Sequence, residues 1–192
     1  MTALVLASSS PYRAELLRRL QLDFEQIAPE IDEAIAPGEA AGDYVRRLAR
    51  EKALAVASRH PDAIVIGSDQ CSECQGQILG KPGTAERAIE QLTHSSGQRV
   101  TLFTAVAVYD PDSGHVEVAQ VPTHVRFRRL GRSAIERYVH LEQPLDCAGA
   151  FRAEGLGISL FEGIQSDDPN ALIGLPLIAL TGLLARVGVV RP

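Results

Sequence analysis

Ala3-Leu4-Val5-Leu6-Ala7-Ser8-Ser9-Ser10-Pro11-Tyr12-Arg13 reads as a strand that feeds a tight turn and then a helix. The apolar run 3–7 suits a buried strand, the serines a turn, and residues 14–20 a helix that Pro11 starts at its first position. Such a turn offers hydroxyls and backbone N–H groups that the helix leaves without partners, and the helix start adds partial positive charge, so the segment forms an anion site. Arg13 points the same way. A cation in the first turn of a helix is disfavoured by about 0.3–1 kcal/mol, and a bound anion such as phosphate offsets that cost. The plainer alternative is that Ser10 only caps the helix and Arg13 extends into water.

Further along, residues 41–59 read as a long helix with Val45, Leu48, Ala49 and Val56 on one stripe. Residues 63–66 are fully apolar and suit a buried strand that ends at Gly67-Ser68-Asp69. Residues 84–93 form a second helix with Thr84 as cap, and 133–140 a third. The β-rich stretches 99–109 and 115–127 flank Asp110-Pro111-Asp112-Ser113-Gly114, a hairpin turn. Residues 157–161 suit a strand, and 176–186 a last helix opened by Pro176. Helices and strands interleave around one antiparallel hairpin. The expected fold is therefore mixed α/β in a single domain over 1–192.

Composition narrows the function. A chain of 192 residues with 45% hydrophobic and 22% charged content can bury a full core. No apolar run approaches the ~18 residues a membrane span needs, and the N-terminus lacks a signal-peptide pattern, so a cytoplasmic protein with no membrane partner is expected. The net charge of −5 argues against a nucleic-acid partner. Cys71, Cys74 and Cys147 make an odd count, which does not suggest a disulfide framework. One isolated Cys71-x-x-Cys74 is a weak metal or redox signal, and two small, soft residues near a strand end are the simpler reading.

Several polar residues break the apolar pattern. Lys52 falls on the apolar stripe of its helix, where a lysine either snorkels outward, the commoner outcome, or reaches into a polar cleft. Asp69 ends a buried strand, where α/β proteins place catalytic groups; a turn aspartate is the bland alternative. Lys81, in Gly80-Lys81-Pro82, sits on a stiff turn after the apolar pair Ile78-Leu79. Glu30-Ile31-Asp32-Glu33 is either a solvated acidic turn or a source of hard-cation ligands. Together they supply cations, carboxylates and an anion-binding turn, the parts for metal-assisted phosphoryl chemistry. Neither a Walker loop nor GxGxxG is present.

In order along the chain, residues 6–13, Ile31-Asp32-Glu33, Glu51-Lys52-Ala53, Gly67-Ser68-Asp69-Gln70, Leu79-Gly80-Lys81-Pro82, Cys147-Ala148-Gly149, Glu154-Gly155-Leu156-Gly157 and Asp168-Pro169-Asn170…Gly174-Leu175-Pro176 resemble the Maf-like nucleoside triphosphate pyrophosphatases, with an inosine-triphosphatase-like fold. Tyr12, Gln70 and Glu154 resemble the 7-methyl-GTP branch; the dTTP and UTP branch carries Arg, Thr and Gln there. The resemblance implies an α/β mixed sheet flanked by helices with a central cleft, and cleavage between the α- and β-phosphates with Asp69 as general base. It implies a divalent cation, Mg²⁺ or Mn²⁺, near Glu33 and Asp69, and a triphosphate site lined by Ser8, Arg13, Lys52 and Lys81. Clearance of modified nucleotides, a homodimer and a link to cell-division arrest are further expectations. A dTTP/UTP pyrophosphatase and a non-catalytic septation regulator are the alternatives. Cys71-Ser72-Glu73-Cys74 matches no part of the family pattern.

Overall fold

The computed structural model describes residues 2–190; the expected domain span 1–192 also includes Met1, Arg191 and Pro192, which lie outside the described residues. In chain order the elements are β1 (Leu4–Ala7), α1 (Pro11–Arg18), β2 (Glu25–Ile27), α2 (Ala41–Ala57), β3 (Ile64–Cys74), β4 (Gln77–Leu79), α3 (Ala85–Ser95), β5 (Arg99–Tyr109), β6 (Val116–Phe127), α4 (Arg132–Glu142), β7 (Phe161–Ser166) and α5 (Leu177–Arg186). Seven strands form one sheet in the order β2-β1-β3-β5-β6-β7, with β4 paired to β3 off that path. Strand β1 runs parallel to β2 and β3, while β4 on β3 and β7 on β6 are antiparallel, so the sheet is mixed, as the sequence suggests.

Two compact units divide the chain, one of residues 1–69, 104–121 and 168–192, the other of 70–103 and 122–167. In the first, the pleat sorts residues by parity. Leu4, Leu6, Ile64, Ile66, Val106 and Val108 pack with Leu16 and Leu17 of α1 and Leu180 and Leu184 of α5 in one core. The odd positions of β3 turn the other way. At Gly67 an added Cβ would stand 2.7 Å from the backbone nitrogen of Ala53 and closer still to the Ala49 carbonyl, so α2 lies directly against β3. In the second unit, Phe127, Phe151 and Phe161 meet edge to face, with centroids 5.0–5.5 Å apart.

Two expectations change. The strand starting near residue 63 does not stop at Gly67 but continues through Asp69 to Cys74. Gly67 reads as a terminator in sequence, yet here it lets a helix approach a strand interior. Residues 157–161 are not a strand: Leu156–Leu160 is a 3-10 turn and β7 begins at Phe161. Glycines at 155 and 157 favour that tighter path, since a Cβ at Gly157 would collide with the Arg152 backbone. Among the described residues no helix is long and apolar enough to cross a membrane.

Candidate active site

The serine turn is built as its sequence suggests. Ser10 caps α1, its Oγ accepting from the Arg13 backbone nitrogen at 3.3 Å. Ser8, buried at the end of β1, accepts from the Ser10 nitrogen at 3.1 Å. Gln26 of β2 donates to the Ser8 and Ser10 carbonyls, fixing the turn from the neighbouring strand. Arg13 does not extend into water. Its Nε donates to the Gly174 carbonyl at 2.9 Å, and one terminal nitrogen stands 3.5 Å from Ser8 Oγ. Burial holds its pKa below the usual arginine value, and the charges of Asp69 and Glu33 oppose part of that shift.

Lys52 settles the choice that its helix position leaves open. It turns inward, with Nζ 2.6 Å from Asp69 Oδ1 and 2.8 Å from Glu33 Oε1. The parity of β3 explains the meeting: Asp69 shares the face of Gly67, which packs on the α2 turn that carries Lys52. The residues of Lys52 and Asp69 are 5% and 6% exposed, so each charge is tolerable only because the other is there. Of the three acidic residues at 30–33, Glu33 joins this pair. Its loop is tied down by Tyr44, whose hydroxyl donates to the Glu33 carbonyl, and by Arg47, which grips Glu39 at 2.6 and 2.8 Å and donates to the Ala34 carbonyl.

Within the first unit, then, Ser8, Arg13, Glu33, Lys52 and Asp69 come together, and Tyr12 is half-buried in the first turn of α1. Gln70, Lys81 and Glu154 belong to the second unit. Gln70 follows Asp69 on β3, so the pleat aims it to the opposite face. Lys81 is exposed on a turn held by Gly149 N and Gln91 Nε2, both donating to the Gly80 carbonyl. Glu154 stands 3.9 Å from Arg152, which also pairs with Glu142.

Sequence reasoning gave no site role to Ser68, Gly174, Tyr44 or Arg47. Ser68 Oγ, on the face opposite Asp69, lies 2.8 Å from the Ala105 carbonyl and 3.0 Å from that of Gly174. The loop that supplies that carbonyl lies in the stretch Asp168-Pro169-Asn170…Gly174-Leu175-Pro176, which carries the family resemblance but no assigned role. Cys71 and Cys74 are buried thiols on β3 that are not joined in a disulfide. Among the described residues no group of three or more His, Cys, Asp or Glu could hold a metal by itself.

Residues 3–187 match the model of the family described as Maf-like protein. A Pseudomonas aeruginosa protein named 7-methyl-GTP pyrophosphatase is 53% identical over 192 residues, covering all of both chains. A protein of the same name from Pseudomonas syringae pv. tomato is 54% identical over the same span. One from Alcanivorax borkumensis is 51% identical over 189 residues, 98% of this chain and 96% of the relative. Solved structures of similar fold include a HAM1 protein from Coxiella burnetii, at TM-score 0.53 and 14% identity over 97% of this chain and all of that one. The Staphylococcus aureus Ham1 protein has TM-score 0.50 and 17% identity over 67% of this chain and 73% of its own.

Proposed function

Because the chain belongs to the Maf-like protein family, we propose that it is a nucleoside triphosphate pyrophosphatase that converts 7-methyl-GTP and water to 7-methyl-GMP and pyrophosphate. The observation that carries the chemistry is the buried Lys52–Asp69 contact at 2.6 Å. Its lysine fixes one carboxylate oxygen, and Oδ2 is left to take a proton from water attacking Pα. The Pα–O bond to the β-phosphate breaks, and pyrophosphate leaves with the bonding electrons. Positioning and charge neutralisation supply most of the rate in such a displacement. Full-length relatives at about half identity, each named 7-methyl-GTP pyrophosphatase, support the choice of substrate.

Charge counting supports a divalent cation. Arg13 and Lys52 are balanced by Glu33 and Asp69, so these four side chains offer no surplus for a triphosphate of about four negative charges at neutral pH. A donor set of two carboxylates fits Mg²⁺ or Mn²⁺, hard cations that take one or two carboxylates and complete their shell with water and substrate phosphate. Glu33 and Asp69 would hold it. The metal would neutralise charge developing on the phosphate oxygens. Ser8, Arg13, Lys52 and Lys81 bind the triphosphate in this reading.

Base choice falls to Tyr12, Gln70 and Glu154. A carboxylate accepts both N1–H and N2–H₂ of guanine, and N7-methylation makes the ring cationic, so Glu154 favours the methylated base twice over. Tyr12 stacks on the cationic ring, worth about 0.5–2 kcal/mol. Product analysis tests the reaction: 7-methyl-GMP with pyrophosphate is expected, and 7-methyl-GDP with inorganic phosphate would contradict it.

A further inference from the structure

We infer that Asp168 is a positioning residue for the triphosphate site, holding Arg13 in place through the Gly174 carbonyl; this rests on the phosphate-binding role given to Arg13 above. The link begins at Arg13 Nε, whose single N–H goes to that carbonyl at 2.9 Å. The guanidinium's other four N–H groups lie on its terminal nitrogens, so the carbonyl sets the plane in which they can meet phosphate oxygens. Gly174 is itself held. Its nitrogen donates to the Asn170 and Ala171 carbonyls, its φ of +125° is one that side-chain-bearing residues rarely adopt, and Ser68 Oγ is 3.0 Å from the same oxygen.

One carboxylate closes the loop at both ends. Asp168 Oδ1 accepts from the backbone nitrogen of Asn170 at 2.9 Å and from its Nδ2 at 3.2 Å. Oδ2 accepts from the Ile178 nitrogen at 2.6 Å, in the first turn of α5. Asp168 is 1% exposed, and a carboxylate that deep is retained where charge-assisted donors and a helix start meet it. Its two oxygens serve two different segments. An amide at this position has one oxygen, so the Ile178 or the Asn170 nitrogen would face an NH₂ group. The loop between them, and Gly174 with it, loses its fixed height against Arg13.

The test is a double-mutant cycle on binding of inorganic tripolyphosphate with Mg²⁺ present, measured by calorimetry, with Asp168→Asn, Arg13→Met and both together. Asp168→Asn alone should weaken binding roughly tenfold, within the hundredfold that a displaced clamp can cost. In the Arg13→Met background it should change binding less than about twofold. Steady-state kinetics on 7-methyl-GTP should show KM carrying most of the loss and kcat little of it. Equal losses in both backgrounds, or a wild type that does not bind tripolyphosphate, overturn the inference. If Asp168→Asn does not fold, Asn170→Ala removes one donor to the same carboxylate and enters the same cycle under the same criterion. Binding needs no turnover. Coupled losses in a protein that leaves 7-methyl-GTP intact refute the assigned reaction and uphold the strut, and additive losses in an active enzyme do the reverse.

Discussion

Lys52 Nζ sits 2.6 Å from Asp69 Oδ1, joining the apolar stripe of α2 to the interior of β3 with both side chains almost fully buried. Glu33 shares the same ammonium from an exposed loop, so the contact is lopsided. Lys52 has a second carboxylate to fall back on. The positive charge closest to Asp69 is that of Lys52.

That asymmetry separates two substitutions. Lys52→Met strands a buried carboxylate and is expected to cost about 3–5 kcal/mol of stability. Asp69→Asn leaves Lys52 paired with Glu33 and keeps the side-chain shape, so it should melt much closer to wild type. Pyrophosphate release should nonetheless fall by about 10²–10⁴-fold if Asp69 is the base. Thermal melts and initial rates on both variants decide this, and an Asp69→Asn enzyme with wild-type turnover would remove Asp69 from the base role.

Gly67→Ala tests how the pair is brought together. The new methyl would press on the backbone of Ala49 and Ala53, the helical turn that carries Lys52. Overpacking of this kind costs about 1–3 kcal/mol or more when backbone must yield. The loss should appear in both the melt and the turnover rate, because α2 moves as a unit. Full activity with unchanged stability would mean that α2 does not bear on β3 at this point.

The Glu39–Arg47 grip on the Glu33 loop predicts a pH signature. Hydrogen bonds from Arg47, then from the Ala36 nitrogen, lower Glu39 from 4.5 to about 2. A carboxylate lowered in the folded state adds stability that is fully present above pH 4.5 and fades as pH falls toward 2. Wild type should therefore out-melt Glu39→Gln at pH 7, and the gap should narrow between pH 4.5 and 2. A gap that is constant with pH would show that the grip is not ionic.

Thiol chemistry gives a fourth check. Burial, and then the neighbouring Asp146, push Cys147 up to about 12, while Cys71 and Cys74 are buried. At pH 8 the native protein should take up far less than one equivalent of iodoacetamide, and the unfolded chain three. Rapid native alkylation of Cys71 or Cys74 would reopen a redox reading of that pair.

Legibility in the sequence followed range. The strand–turn–helix at 3–20, the stripe of α2 and the Thr84 cap depend on local periodicity and capping, and each matches the structure. Lys52 shows the limit. Its place on an apolar stripe was plain, but whether it snorkelled or turned inward depended on β3 arriving with Asp69 on the same face. Gly67 misled for a related reason, since a glycine that ends a strand and one that admits a helix look alike until the helix is there. Gly174 could not be read at all as a site group, because it contributes a backbone oxygen fixed by a loop 161 residues from Arg13.

The most direct test of the account is kcat/KM for pyrophosphate release from 7-methyl-GTP, GTP, dTTP and UTP, measured with Mg²⁺ and with Mn²⁺ on wild type and Glu154→Gln. The account predicts that wild type prefers 7-methyl-GTP and that Glu154→Gln erodes this preference while leaving the fold intact. Preference for dTTP or UTP, or selectivity unchanged in Glu154→Gln, would contradict it.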